Sequence, residues 1–278
     1  MSNPNAQQIE YWNGPAGQRW ANAQDRIDHH LGLITDALMA FAAPKEGERV
    51  LDIGCGGGTT ALMLRERVGA NGAVTGIDIS EPILAVARAR AHAGMADLAL
   101  VRADASTYDF QPVFDLAFSR FGVMFFDDPV AALANIRKAL VKDGRLAFAC
   151  WRVFKENDWS FVPWQAALHL LPPQEPGDPR APGPFAFADG ERVRGILSKA
   201  GYRDITVKPH DTTVHLGATL DEAVTEALTI GPLARAAVEL DEPTRDKIRA
   251  AVRAELAKHE TSYGLILPAA VWLVRARA

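Results

Sequence analysis

The first residues that suggest chemistry are a cluster of glycines. Residues 49–60 read RVLDIGCGGGTT, with four glycines in the five positions 54–58. Glycine loses more backbone entropy on folding than other residues, so the cluster indicates either a tight turn or a close approach of the backbone to a bound molecule. The third glycine of a dinucleotide-binding loop would fall at Thr59, and the Gly-Lys-Ser/Thr ending of a phosphate-binding loop is missing. The loop therefore favours a nucleoside ligand without a pyrophosphate.

Carboxylates recur near the ends of the neighbouring predicted strands. Asp52 lies in the first strand, Asp78 ends the second and Asp104 ends the third. In an open parallel sheet, ligands bind at the carboxyl ends of the strands where the strand order reverses, and an acidic residue there can accept ribose hydroxyl groups. Asp104 is suited to accept from an exocyclic amine of a base. Beside the glycine loop, the three carboxylates predict a nucleoside site.

Strands and helices alternate over residues 47–151, which is typical of βαβ units and a mostly parallel sheet with helices on both faces. The predicted strands are mainly apolar, as strands buried on both faces should be. They span residues 49–53, 72–80, 98–104, 114–119 and 144–151, and the predicted helices span 59–68, 81–94 and 128–144.

The flanking segments have other patterns. Over residues 27–41, apolar residues recur at helical spacing and predict one amphipathic helix, with Ile27, Leu31, Ile34, Leu38 and Phe41 on its buried face. The proline-rich stretch 152–188 is predicted to be an insertion over the sheet.

The last third of the chain completes the predicted sheet. A helix is predicted over 191–201, a strand over 202–216, helices over 220–259 and a final strand over 265–278. Pro209 has no N–H to donate, which places its strand at a sheet edge.

Composition limits the classes of function. The chain has 278 residues, 48% of them hydrophobic, a formal net charge of −4 and a pI of about 6.0. Nucleic-acid binders are more often basic, so no nucleic-acid partner is expected. The two cysteines, Cys55 and Cys150, form neither a disulfide framework nor a metal-ligand pattern. A reducing cytoplasm is expected, with no signal peptide and no membrane span.

The segments VLDIGCGGGTT, GIDIS, VRADAS and FDLAFSRFGVMFF resemble the ordered motifs of class I S-adenosylmethionine-dependent methyltransferases. Within that class they look most like the family of the ubiquinone and menaquinone biosynthesis C-methyltransferases. The resemblance is strong over residues 47–151 and weak from 152 to 262. It implies an α/β fold with a Rossmann-like sheet, mostly parallel with an antiparallel terminal hairpin, and helical cap insertions. It also implies S-adenosylmethionine as the cofactor and S-adenosylhomocysteine as the product.

The resemblance further implies cofactor contacts along the chain. Asp78 is expected to bind the ribose, Ile79 to pack on the adenine, and Asp104 with the Ala105 amide to bind the adenine amino group. The other expected cofactor-binding residues are Tyr11, Trp20, Asp52, Gly54, Cys55, Gly56, Gly58, Ser119 and Arg120.

Acceptor and catalytic candidates are less specific. Aromatic residues that could form the acceptor wall, or simply pack in the core, are Phe121, Phe125, Trp151 and Trp164. A histidine facing the acceptor could act as a general base, although a surface or capping role is the plainer alternative. The candidates are His29, His30 and His169. Aromatic residues near the N-terminus, Tyr11, Trp12 and Trp20, are predicted to form a lid, because a ring face attracts a sulfonium.

The sequence thus predicts methyl transfer to a small organic acceptor by an in-line displacement. The predicted organisation is an N-terminal helical lid (1–46), a cofactor-binding core (47–151), a cap insertion (152–188) and the rest of the core (189–278) with a helical insertion at 220–262. Alternatives left open are an RNA or protein methyltransferase, a nicotinamide-dependent oxidoreductase and a non-catalytic S-adenosylmethionine-binding protein. The chain is expected to be a monomer or a homodimer.

Overall fold

The predicted sheet is present in the computed structural model, which describes residues 5–173 and 178–278. Its strands are β1 (Arg49–Ile53), β2 (Ala73–Asp78), β3 (Ala99–Arg102), β4 (Phe114–Arg120), β5 (Leu140–Trp151), β6 (Arg203–Gly217), β7 (Glu260–Thr261) and β8 (Gly264–Arg277). The order is β3-β2-β1-β4-β5-β8-β6, with β7 pairing to β8. The first five strands in this order are parallel, and β8 is antiparallel to both β5 and β6. This confirms the expected mostly parallel sheet with an antiparallel terminal hairpin, and it places the Pro209 strand at the edge.

Helices surround the sheet. They are α1 (Ala6–Asn13), α2 (Pro15–Asn22), α3 (Gln24–His30), α4 (Gly32–Ala42), α5 (Thr59–Val68), α6 (Glu81–Ala93), α7 (Pro129–Lys138), α8 (Asp158–Ala167), α9 (Gly190–Lys199), α10 (Leu220–Ala227), α11 (Pro232–Ala237) and α12 (Glu242–Leu256). Side-chain caps begin four of them: Asp128, Asp189, Thr219 and Asp241 each accept a backbone N–H of the first turn. In the described part of the chain, no helix is both long and apolar enough to cross a bilayer.

The core forms where the apolar strands meet the helices. Phe118 of β4 and Phe148 of β5 are fully buried, as are Ile34 and Leu38 of α4. Burying a side chain of this size contributes roughly 1.5–3 kcal/mol. The carboxyl ends of the parallel strands are thereby held at one fixed edge.

The strand order reverses between β1 and β4, and two glycines let their backbones come together there. Gly54 has a positive φ of 64°. A Cβ on Gly54 would lie 2.8 Å from the Cα of Gly122, and a Cβ on Gly122 would lie 2.7 Å from the carbonyl oxygen of Ile53. No side chain fits in either space, so the loop after β1 and the turn after β4 pack backbone against backbone.

Two predicted helices are wrong in extent. The helix expected over 27–41 is broken at Leu31, where α3 ends and α4 begins with Gly32, a poor helix former. The helix expected to reach residue 144 ends at Lys138, because residues from Leu140 onward already pair with β4. Sheet pairing outweighs the local helical pattern there.

Helices from the predicted cap segments pack against one another and against the sheet. Helix α8 packs against α11, α12 and β8, and α10 packs against α12. The division into units at residues 46, 151 and 188 stays a prediction.

Candidate active site

A cavity of about 720 Å³ opens at the carboxyl edge of the sheet. The loop after β1 and the ends of β2, β4 and β5 form its floor, and helices α1–α3, α11 and α12 contribute to its walls. This is the position at which open α/β sheets bind ligands. The volume lies within the range of small-molecule sites, roughly 300–1,000 Å³.

Asp78 lies at the end of β2 and lines this cavity. Its carboxylate accepts the backbone N–H of Gly56 and the backbone N–H of Ser80, both at 2.9 Å. Burial raises the pKa of Asp78, and these backbone hydrogen bonds counter part of that rise. Each carboxylate oxygen has two lone-pair positions, so the group can accept two more donors from a ligand.

Asp104 also lines the cavity, two residues beyond the end of β3. Its carboxylate accepts the Nδ2 of Asn5 at 3.0 and 3.1 Å and the backbone N–H of Ser106 at 2.8 Å. Asn5 in turn accepts the backbone N–H of Asp127 at 2.9 Å. The N-terminal segment is therefore attached to the cavity edge at this carboxylate.

Asp52 lies beneath the loop and does not line the cavity. It is fully buried and accepts the Thr60 hydroxyl at 2.6 Å, so it holds the first turn of α5. Burial raises the pKa of Asp52 to about 7, with the charge of Asp78 adding to the effect and the Thr60 hydrogen bond and the Arg120 charge opposing it. Asp52 therefore supports the loop, and its position does not agree with the cofactor contact expected for it.

Two further residues expected to contact the cofactor, Ser119 and Gly58, support the loop instead. Ser119 is fully buried, donates to the Ile53 carbonyl at 2.7 Å and accepts the Gly122 N–H at 3.1 Å. A Cβ on Gly58 would lie 3.0 Å from the Cβ of Ala87, so this glycine allows α5 to pack closely on α6. Neither residue lines the cavity, because both are used to hold the loop in place.

The remaining predicted cofactor residues do line the cavity. They are Tyr11, Trp20, Gly54, Cys55, Gly56, Ile79, Ala105 and Arg120. Burial raises the pKa of the Cys55 thiol well above its usual value, with the charges of Asp78 and Asp52 adding to the effect. The thiol therefore stays protonated and is a poor nucleophile.

Asp28 of α3 does not line the cavity, but it holds the lining residue Arg120 and was not indicated by the sequence. It accepts Arg120 Nη2 at 3.0 Å, Arg90 Nη1 at 2.8 Å and the Thr59 hydroxyl at 2.5 Å. Burial alone would raise the pKa of Asp28, but the Arg120 charge and the hydrogen bonds from these partners outweigh it and lower the pKa. We call Asp28, Thr59, Arg90 and Arg120 the Asp28 cluster. Its members are far apart in the chain, so no local motif could have indicated it.

Hydrogen bonds also attach α1 to the sheet edge. Asn13 Nδ2 donates to the Ile79 carbonyl at 3.0 Å, and Asn13 Oδ1 accepts the Glu81 N–H at 3.0 Å. The Ser80 hydroxyl donates to the Trp12 carbonyl at 2.7 Å. The N-terminal helices thus lie over the end of β2.

Aromatic rings line the cavity in two groups. Phe121 stacks on Trp151 with centroids 4.3 Å apart, and Trp151 lies 4.9 Å from Trp159. Phe125 contacts Trp12 edge to face at 5.4 Å. Three of the four predicted acceptor residues, Phe121, Phe125 and Trp151, therefore line the cavity.

The fourth, Trp164, does not line the cavity and contacts Phe154 with centroids 6.1 Å apart. Trp159 and Phe185 line the cavity instead. Trp159 and Trp164 both lie on α8, and the sequence did not show which face of this helix meets the cavity.

Of the three histidine candidates, only His30 lines the cavity. Its ring lies 5.4 Å from Trp159, and its Nδ1 is 3.7 Å from Glu226 Oε1. Within the described chain, His30 Nε2 is buried and has no hydrogen-bond partner. Burial lowers the pKa of His30 to about 3, with the charges of His215 and His29 contributing, so the ring is neutral at pH 7.

The other two histidines lie elsewhere. His29 is exposed and its Nε2 lies 3.2 Å from His215 Nδ1, while His169 is exposed after α8. The positions of both agree with the plainer, non-catalytic alternative. Among residues 5–173 and 178–278, no cluster of three or more His, Cys, Asp or Glu side chains is arranged to hold a metal ion.

Comparison with known proteins assigns this arrangement to a family. A family described as "Methyltransferase domain" matches residues 50–144, which hold the glycine loop, Asp78, Asp104 and Arg120. Residues 50–144 form a methyltransferase domain, and the chain resembles the class I S-adenosylmethionine-dependent methyltransferases. The domain supports S-adenosylmethionine as the cofactor, as expected.

Individual relatives agree with this assignment. Aklanonic acid methyltransferase DauC of Streptomyces sp. (strain C5) is 38% identical over 146 residues, which cover 49% of this chain. The match spans 66% of DauC, slightly less than two thirds. Demethylmenaquinone methyltransferase of Staphylococcus epidermidis (strain ATCC 35984) is 26% identical over 192 residues, which cover 65% of this chain and 79% of that protein. The predicted resemblance to the quinone-biosynthesis methyltransferases is confirmed.

A solved structure shows the same fold. A putative methyltransferase of Bacillus halodurans C-125 superposes with a TM-score of 0.57 and 19% sequence identity. The match covers 87% of this chain and 97% of that chain. The α/β fold class is therefore confirmed.

We expect the Asp78→Asn variant of this chain to bind S-adenosylhomocysteine roughly 10- to 100-fold more weakly, because a neutral amide oxygen replaces the charged carboxylate as acceptor. Calorimetric titration measures the change. Asp109→Asn is the matched control, since Asp109 is exposed and does not line the cavity. Equal affinities in the parent protein and Asp78→Asn would contradict the assignment of Asp78.

His30 predicts how stability depends on pH. Its pKa is about 3 in the folded protein and about 6.5 in an unfolded chain. The unfolded state therefore binds more protons between these values, so this contribution to stability is complete above pH 6.5 and decreases as the pH falls. Between pH 7 and pH 5, the free energy of unfolding should fall by roughly 1–2 kcal/mol more in the parent than in His30→Gln. Urea unfolding at the two pH values measures this difference. His169→Gln should lose as much unfolding free energy as the parent. An equal loss in His30→Gln and the parent would contradict a buried, neutral His30.

Proposed function

We propose that this chain transfers a methyl group from S-adenosylmethionine to a small organic acceptor. One observation carries the proposal: a polar edge with Asp78 and Asp104 and a wall of stacked aromatic rings face the same cavity. The polar edge suits a nucleoside, and the aromatic wall suits an apolar molecule beside it. The methyltransferases of aklanonic acid and demethylmenaquinone, both named for small molecules, support this class of acceptor.

The cofactor fits the polar groups that the cavity offers. Asp78 has acceptor positions left for ribose hydroxyls, and Asp104 has them for an amino group. Gln24 adds an acceptor, since its Oε1 is buried and has no hydrogen-bond partner in the described chain. This atom lies over the glycine loop, 2.6 Å from the position of a Cβ on Gly57. A cationic amino group of the cofactor is a suitable donor for it.

The sulfonium of S-adenosylmethionine supplies the methyl group when it is bound. The task of the chain is to position the acceptor and exclude water, which contributes to rate through proximity and orientation. The lid helices α1–α3 and the aromatic wall perform both roles in this proposal. The Asp28 cluster holds α3 against the glycine loop and the end of β4, so it fixes the cavity geometry.

We assign His30 the role of proton acceptor for acceptors that carry an acidic proton. Its neutral ring has a buried and unpartnered Nε2 within the described chain, and the other nitrogen faces Glu226. Glu226 is itself held by Arg26 at 3.2 Å. With its pKa lowered to about 3, His30 is a weak base while its Nδ1 lies 3.7 Å from Glu226. A hydrogen bond between the two would raise its basicity, and such bonds often tighten only when substrate is present. Glu226 is therefore a positioning residue.

Isotope transfer tests the function directly. The protein is first titrated with S-adenosylmethionine, S-adenosylhomocysteine and NAD, and binding of the first two alone is expected. It is then incubated with methyl-labelled S-adenosylmethionine and panels of phenols, quinols, carboxylic acids and amines. We expect label in at least one product. Cofactor binding without any labelled product would favour a non-catalytic binding protein, and NAD binding would favour an oxidoreductase.

Replacing His30 tests the proton acceptor on whichever labelled acceptor reacts. His30→Gln should lower kcat by roughly 100-fold or more while KM changes little, because general-base catalysis contributes about 10²–10⁴-fold. Glu226→Gln should lower kcat less and shift the pH profile. His169→Gln is the control with unchanged kinetics. An unchanged kcat in His30→Gln would exclude it as the base.

A further inference from the structure

Four arginines lie around the opening of the cavity. Arg19 comes from α2, Arg235 from α11, and Arg245 and Arg249 from α12. Arg19, Arg235 and Arg249 are exposed to solvent and Arg245 is partly exposed. Residues that both line a cavity and reach solvent mark its opening, so we call these four residues the arginine rim.

The charges that line the cavity are strongly unequal. Among the described lining residues, the side chains charged at neutral pH are the arginine rim, Arg120, Asp78 and Asp104, and no lysine or glutamate is present. Arg120 is already paired with Asp28. The chain as a whole has a net charge of −4. A positive opening on an acidic protein is therefore a local feature of this site.

Few carboxylates neutralise the rim. Arg245 pairs with Glu242, and Arg249 lies 3.9 Å from Asp246; both are exposed pairs within α12. Exposed pairs of this kind contribute little free energy and are easily exchanged for a ligand. In the described part of the chain, Arg19 and Arg235 form no ion pair, and Arg235 lies over the Tyr11 ring at 5.5 Å. Because Tyr11 lines the cavity too, Arg235 is directed along its wall.

We infer that the methyl acceptor carries an anionic group, a carboxylate or a phosphate, that the arginine rim binds. This inference rests on the proposed function. The guanidinium fork binds both groups in a bidentate manner, which fixes orientation as well as position. The apolar body of the acceptor lies inside against Phe121, Trp151 and Trp159. The anion at the opening then orients the acceptor so that its far end meets the cofactor.

A second physical effect acts in the same direction. The sulfonium cofactor brings a further positive charge into a cavity that already carries an excess of arginine. A positive cleft concentrates anions and raises their rate of association, and salt weakens the effect. A cationic acceptor would instead be repelled by both the rim and the cofactor.

Matched probes test the inference without knowledge of the natural acceptor. The protein saturated with S-adenosylhomocysteine is titrated with 1-naphthoate, 1-naphthyl phosphate, 1-naphthalenemethanol and 1-naphthylmethylamine. These share one ring system and differ in charge. We expect at least one anion to bind about fivefold or more tightly than the alcohol, an advantage that falls with added salt. The tighter anion distinguishes a carboxylate from a phosphate.

Two variants on the same helix locate the effect. Arg249→Gln should weaken binding of the preferred anion by roughly three- to fivefold and leave the alcohol unchanged, since it removes one charge at the rim. Arg253→Gln is the matched control: Arg253 also lies on α12, is exposed and pairs with one carboxylate, Asp221, but does not line the cavity. It should change neither affinity.

The inference is overturned if the alcohol or the amine binds as tightly as both anions, if neither anion binds, or if Arg249→Gln and Arg253→Gln have equal effects. The initial titration with S-adenosylhomocysteine separates this result from failure of the proposed function. Cofactor binding without a preference for anions removes the arginine-rim proposal alone. Absence of cofactor binding removes the proposed function itself.

Discussion

The geometry of the site depends on the carboxylate of Asp28. It lies on an N-terminal helix, yet it binds Thr59 at the start of α5, Arg90 on α6 and Arg120 at the end of β4. Removal of the Asp28 carboxylate would leave the largely buried Arg120 guanidinium without its charge partner, which is costly. The Asp28 cluster therefore joins the lid, the glycine loop and the sheet edge into one arrangement.

Backbone packing provides the surface on which this cluster rests. Gly54 and Gly122 approach so closely that a side chain on either would collide with the other strand. Ser119 and Asp52 support the same junction from below through hydrogen bonds to Ile53 and from Thr60. These residues shape the loop without facing the cavity, which explains why some motif positions of a cofactor site need never touch a cofactor.

The cavity also carries polar atoms that the folded chain leaves without partners. Within the described residues, Gln24 Oε1 and His30 Nε2 are buried and unpaired beside it, and Glu226 Oε1 is unpaired behind His30. A buried polar atom without a hydrogen bond costs roughly 1–3 kcal/mol. A ligand that satisfies such atoms recovers this energy, so their position agrees with a site built for polar groups at one end and an apolar body between them. The arginine rim adds charge selection at the opening.

The sequence by itself determined the sheet, the glycine loop and the two carboxylates, Asp78 and Asp104, that line the cavity beside the loop. These features follow from local patterns: apolar strands, glycines at a turn, and acidic residues at strand ends. Only the tertiary structure decided which of His29, His30 and His169 lines the cavity and that Trp159 takes the place of Trp164 in its wall. It also decided that Asp28 holds Arg120 and that four arginines surround the opening. The reason is physical. These residues come from helices distant in the chain, and their roles arise from packing and electrostatic contacts that no short-range periodicity encodes.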